Sequence, residues 1–126
     1  MRLREAQALL KLGLYDGAYY LAGYAAECAL KACIAKKTAR YDFPDKKNVL
    51  ESYTHVLRDL IKAAGLEGVR LGRAAQDEQF RNNWDIVQLW SEQSRYEAYD
   101  SERAGNLLRA LDDRSHGIIP WLKHHW

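Results

Sequence analysis

The chain has 126 residues, 48% hydrophobic and 29% charged, with a formal net charge of +2 and only two prolines. That length makes a single domain over residues 1–126 with room for a real core, and the composition argues against long disordered tails. The nearly balanced charge neither demands nor excludes a nucleic-acid partner, because a local basic stripe can sit on a nearly neutral protein.

Residues 2–12 have the spacing of a short amphipathic helix, with Leu3, Ala6, Leu9 and Leu10 on one side and Gly13 interrupting it. Asp16 is placed to cap a long alanine-rich helix running to about Lys37. In that helix Ala18, Leu21, Ala22, Ala25, Cys28, Ala29 and Ala32 follow the spacing of a buried face. Alanines there let a neighbouring backbone approach closely, so this is the expected central helix. Residues 38–53, with Pro44 and scattered lysines, read as a loop. Thr54 is expected to cap a short helix over residues 55–64 that stops at Gly65. Residues 67–75 are ambiguous between a loop and a weak turn of helix. Residues 77–94 return to helical spacing, with Phe80, Trp84, Val87 and Trp90 or Ser91 on one face. A tyrosine-rich connector leads to Asp100, the expected N-cap of a last helix carrying Leu107, Leu108, Leu111, Ile118, Ile119 and Leu122. Pro120 removes the hydrogen bond to the His116 carbonyl, so a bend is expected near residues 117–120.

No segment has strand alternation. The expected fold is all-α: an up-and-down antiparallel helical bundle of four main helices plus a short N-terminal helix. Cys28 and Cys33, rotated about 140° apart on one helix, cannot pair with each other and lack metal-ligand spacing. They read as two small core residues whose reduced state fits a cytoplasmic setting. No apolar run reaches the roughly 20 residues that span a bilayer, and the start lacks the apolar stretch of a signal peptide.

In this order the elements resemble the HEPN family (higher eukaryote and prokaryote nucleotide-binding domains). The resemblance rests on Ala25-Ala26-Glu27-Cys28-Ala29-Leu30-Lys31-Ala32, similar to the family's A-x-x-x-x-A-x-E-x-x-L-K-A pattern, with Tyr20 standing at its first alanine. It rests also on His55-Val56-Leu57-Arg58-Asp59-Leu60, on Ser94-Arg95-Tyr96 before the last helix, and on the apolar C-terminal helix. The resemblance implies a helical bundle that commonly forms homodimers. Many members are paired with a small nucleotidyltransferase as half of a toxin–antitoxin system, others are metal-independent ribonucleases, and some are binding modules without activity.

The ribonuclease members use an arginine and a histidine with four to six residues between them, the arginine usually followed by a polar residue. A histidine can move the proton of a ribose 2′-hydroxyl while an arginine holds the phosphate. Arg109 and His116 have that spacing here, and on a continuous helix they would share a face. Ala110 follows the arginine, Asp112 and Asp113 lie between the two, and eleven arginines with four histidines produce such a spacing by chance. Glu27 and Lys31 read as a ligand contact, an internal polar anchor or a surface pair. His55 reads as a structural hydrogen-bond partner or an acid–base group. Arg95 and Tyr96 are candidates for stacking on a base or holding a phosphate, with an ion pair as the alternative for Arg95. Arg70, Arg73 and Arg81, with Phe80 and Trp84, form a loose basic stretch diluted by acids. His124 and His125, adjacent on a helix, make a poor metal site.

The expected function is thus a non-catalytic nucleotide- or RNA-associated HEPN-like module in the cytoplasm, homodimeric, with a nucleotidyltransferase as its expected partner. No cofactor or metal is implied. The alternative is a metal-independent endoribonuclease using Arg109 and His116, and a purely structural helical protein is a third possibility.

Overall fold

Two glycines set the outline of the bundle. In the computed structural model, which describes residues 2–40, 54–93 and 98–126, Gly13 has φ +78° and Gly65 φ +73°. A side chain is disfavoured there, and each glycine ends a helix with the same pair of bonds. Helix α1 (Arg2–Lys11) closes with Gly13 N–H to Leu10 O at 3.1 Å and Leu14 N–H to Leu9 O at 2.9 Å. The chain then turns directly into α2 (Tyr15–Arg40), 26 residues and about 40 Å long. Asp16 lies inside the first turn of α2 rather than capping it, and its carboxylate instead accepts the Tyr99 N–H at 2.6 Å.

Helix α2 is the hub. Four helices pack on it: α1, α3 (Leu57–Ala63), α6 (Ser101–Asp112) and α7 (Ile118–Lys123). It is therefore covered on several sides, and its buried set is wider than one stripe. Ala18, Ala22, Ala25, Ala29 and Cys33 are buried as expected, but so are Ala26, Leu30 and Ile34. Cys28 and Ala32 face outward, which corrects their assignment to the core. Gly23 is needed where Trp90 lies flat on the helix: a Cβ there would come within 2.2 Å of the indole.

Helix α3 begins at Leu57, not at His55. Thr54 Oγ1 accepts the Val56 N–H at 3.1 Å, a local turn that uses the hydroxyl before it can cap the helix. Leu57, Leu60 and Ile61 are buried, and Gly65 closes the helix through its bond to Lys62 O and the Leu66 N–H bond to Ile61 O, both at 3.0 Å. The ambiguous stretch after it is helix α4 (Glu67–Gln76). It buries Ala74 and carries a partly buried Glu67–Arg70 pair at 2.7 Å. Asp77 ends α4 and caps α5 (Glu78–Gln88). Phe80, Trp84 and Val87 of α5 are buried. Trp90 lies past the end of that helix, so its burial comes from Gly23 and not from helical periodicity.

Asp100 caps α6 as expected, accepting the Arg103 N–H at 2.8 Å. The expected single last helix is two. α6 stops at Asp112, residues 113–117 form a turn, and Pro120 falls in the first turn of α7, where its missing N–H has no helical partner to lose. The described residues thus form seven helices and no strand. The helical bundle holds, and the four-plus-one arrangement does not, because two aspartate side chains make breaks: Asp77 caps α5 after α4, and Asp113 bonds the turn between α6 and α7. No helix among the described residues is long and apolar enough to cross a membrane.

Candidate functional site

The turn between α6 and α7 is built by its own aspartate. The Asp113 carboxylate accepts the N–H groups of Ser115 and His116, each at 2.9 Å, and these bonds hold it below the usual carboxylate range. The Gly117 N–H returns to Asp113 O at 2.8 Å, and a Cβ on Gly117 would lie 2.4 Å from that same oxygen. So tight a turn carries the imidazole of His116 off the axis of α6.

Its destination is the corner between α4 and α5. His116 Nδ1 meets Asp77 Oδ2 at 2.7 Å, while Asp77 Oδ1 accepts the Phe80 N–H at 3.0 Å. Arg73 Nε reaches the same Oδ2 at 3.2 Å and its Nη2 donates to Ser115 O at 2.8 Å. Asn83 Nδ2 takes the His116 carbonyl, the group that Pro120 cannot satisfy, at 3.0 Å. Asp77 is accordingly pushed down to about 2, first by His116, then by the Phe80 N–H and Arg73. The His116 side chain is 34% exposed, and among the described residues its Nε2 has no hydrogen-bond partner. A carboxylate on one ring nitrogen fixes the orientation and tautomer, leaving the other to exchange a proton with a ligand.

Arg109 does not join this cluster. It lies near the end of α6, exposed, and its guanidinium turns back along the helix over Gly105 to donate to Asn106 Oδ1 at 2.5 Å. It borders a different cavity of about 400 Å³, with Gln7, Lys11 and Asp112. The shared face expected of Arg109 and His116 required a continuous helix, and the break at Asp112 removes it. The arginine beside His116 is Arg73. The rest of the basic stretch is engaged locally. Arg70 pairs with Glu67 and lies 5.2 Å over the Trp84 ring, Arg73 lies 5.2 Å over Phe80, and exposed Arg81 is 3.9 Å from Glu78.

A second histidine–carboxylate couple ties α2 to the entry of α3. Glu27 is 2% exposed, the one buried charged residue among those described, and its Oε1 meets His55 Nδ1 at 2.5 Å. His55 Nε2 faces Glu92 Oε2 at 3.6 Å. Both ring nitrogens thus look at acids, one buried and one at the surface. Lys31 is half-buried and makes no ion pair with Glu27; the carboxylate turns to His55 instead. Arg95 and Tyr96 lie outside the described residues. What the sequence reading missed was Asp77 and Asn83 as partners of His116, and an aspartate directly between two helical segments was the available signal.

The arrangement defines an all-helical domain whose two half-exposed histidines are each held by a carboxylate from a neighbouring element. The model of the HEPN domain matches residues 1–123, nearly the whole chain, and the protein belongs to the HEPN family. Searches of curated proteins and of solved structures returned no significant match.

Proposed function

We propose that this HEPN-family chain acts on RNA as an endoribonuclease, in the manner of the family's metal-independent members, with His116 as its acid–base group. The carrying observation is the His116–Asp77 couple. The imidazole is oriented through Nδ1 and presents Nε2 at a partly exposed surface. In the proposed reaction Nε2 takes the proton of a ribose 2′-hydroxyl. The 2′-oxygen attacks the adjacent phosphorus, the bond to the 5′-oxygen breaks, and that oxygen leaves with a proton returned by the His116 imidazolium or taken from water. The products are a 2′,3′-cyclic phosphate and a 5′-hydroxyl. The imidazolium formed in the first step is stabilised by ionised Asp77, and Arg73 supplies a cation on the same carboxylate.

One observation favours the second reading, a non-catalytic module working with a nucleotidyltransferase partner, as in a toxin–antitoxin pair. Arg109, the arginine that the family spacing would recruit, is bonded to Asn106 and turned away from His116. The two readings separate in one assay, cleavage of RNA in chelator by the purified parent and by His116→Ala, Asp77→Asn and Arg109→Ala. Cleavage lost in the first two with folding intact supports the nuclease. A parent without activity on structured and unstructured RNA supports the module, and a nucleotidyltransferase in the adjacent reading frame would strengthen it. A homodimer is proposed under either reading, since four tryptophans and eight tyrosines in so small a helical chain suit an interface. A monomer mass by sedimentation at micromolar concentration would count against it.

A further inference from the structure

At the far end of α7 from His116, a cavity of about 360 Å³ opens between α2, the end of α3 and the residues after α7. Lys36 and Lys37 of α2 line it together with His124 and His125, over a floor that includes Cys33 and Gly65. No acidic side chain lines it among the described residues. The nearest acid in the chain beyond Gly65, Glu67, is already bonded to Arg70 at 2.7 Å.

A structural explanation for the lysines covers only part of their hydrogen-bonding capacity. Two helices end here, and a helix C-terminus carries about half a negative charge. Lys37 Nζ reaches Ala63 O at the end of α3 at 3.3 Å, and Lys36 Nζ reaches Trp126 O at 3.2 Å. Each ammonium has three N–H groups and uses one in these bonds. Each lysine therefore keeps donors to spare for an anion. Burial first, then His124 and Lys36, hold His125 below the ordinary imidazole range. An anion entering the cavity would reverse the electrostatic part of that effect.

We propose that this cavity binds a phosphate monoester group, with Lys36 and Lys37 as its charge partners and His124 and His125 beside it. The volume is near the small end of ligand pockets, which suits one compact group better than an extended strand. A dianion with three terminal oxygens matches two lysines with spare donors. A carboxylate, with two oxygens, uses fewer of those donors. Two sources present this chemistry: a free small phosphate compound, or the phosphorylated end of an RNA strand.

The test is an NMR titration of the histidine ring resonances with pH, in inorganic phosphate and in chloride at matched ionic strength. Phosphate is expected to raise the midpoints of His124 and His125 and to leave His116 unmoved. The Lys36→Gln/Lys37→Gln double variant, with its thermal midpoint checked, should bind phosphate at least about tenfold more weakly. No phosphate-specific shift overturns the proposal, as does a shift that survives in the double variant or that acetate reproduces. A 5′-phosphorylated RNA oligonucleotide binding more tightly than its 5′-hydroxyl twin, with the advantage lost in the double variant, identifies a strand end. Equal binding of the two, with phosphate still shifting the histidines, identifies a small phosphate compound. Because the readout is at His124 and His125, failure of the nuclease reading at His116 leaves this test unaffected.

Discussion

The two histidine–carboxylate couples look alike by distance, 2.5 Å for His55–Glu27 and 2.7 Å for His116–Asp77, and differ in everything around them. Glu27 is buried in α2, and His55 turns its second nitrogen to another acid, Glu92. A ring facing carboxylates on both sides is a tie between elements. Asp77 is held by a backbone N–H and an arginine, and His116 keeps its second nitrogen free among the described residues. A ring fixed on one side and open on the other is equipped to move a proton. The lesson is that the partner of the second nitrogen, not the first contact, separates an anchor from a candidate acid–base group.

The comparison breaks most decisively on His116. On the nuclease reading, His116→Ala lowers RNA cleavage by about 10²–10⁴-fold with little change in thermal midpoint. His55→Ala should do the opposite, lowering the midpoint while cleavage per folded molecule stays. If both variants lose activity in proportion to lost folding, the distinction fails. The anchor is tested next by Glu27→Ala, expected to cost about 2–3 kcal/mol in denaturant unfolding, from the cavity and the lost bond together. Glu27→Gln, which keeps the length and an acceptor, should cost about 1 kcal/mol. Equal losses would mean that volume and not the bond is what matters.

Gly117→Ala sharpens the other side. Its Cβ would press on the backbone of Asp113, so a loss of about 1–2 kcal/mol is expected, together with displacement of the His116 resonances. The same variant with unmoved His116 resonances would show that the turn is not what aims the ring. The pH dependence is subtler. Asp77 has its folded-state pKa lowered from the ordinary 3.8 to about 2. Its contribution is therefore fully present above pH 3.8 and is lost as pH falls through about 2. The stability gap between the parent and Asp77→Asn should narrow over that window; a gap constant with pH would rule out the ionic part of the couple. Smallest of all, Arg109→Ala should change stability by no more than about 0.5 kcal/mol, as for an exposed side chain with one local bond. A large loss of cleavage in that variant would reopen the family spacing as the working pair.

What the sequence by itself determined was local. Helical periodicity located α1 and α2, Gly13 and Gly65 marked two helix ends, and Asp100 marked a helix start, because each acts within a few residues of itself. Glu27 stood out as an acid in an apolar run, and the HEPN resemblance followed from the order of such segments. Only the tertiary structure decided which neighbours those residues meet. Periodicity cannot orient a helix covered on several sides, so Cys28 was assigned inward and Leu30 was not counted on the buried face. It cannot see that Asp113 uses its carboxylate to bend the chain, so the spacing predicts one face for Arg109 and His116 where the structure separates them. Glu27 turned to His55 rather than to Lys31, and His116 to Asp77, because burial demands a partner for a charged group and the nearest one in space comes from another element. Capping and turn chemistry are written within a few residues. The pairing of histidines with acids 28 and 39 positions away is set by packing, which no short window of sequence contains.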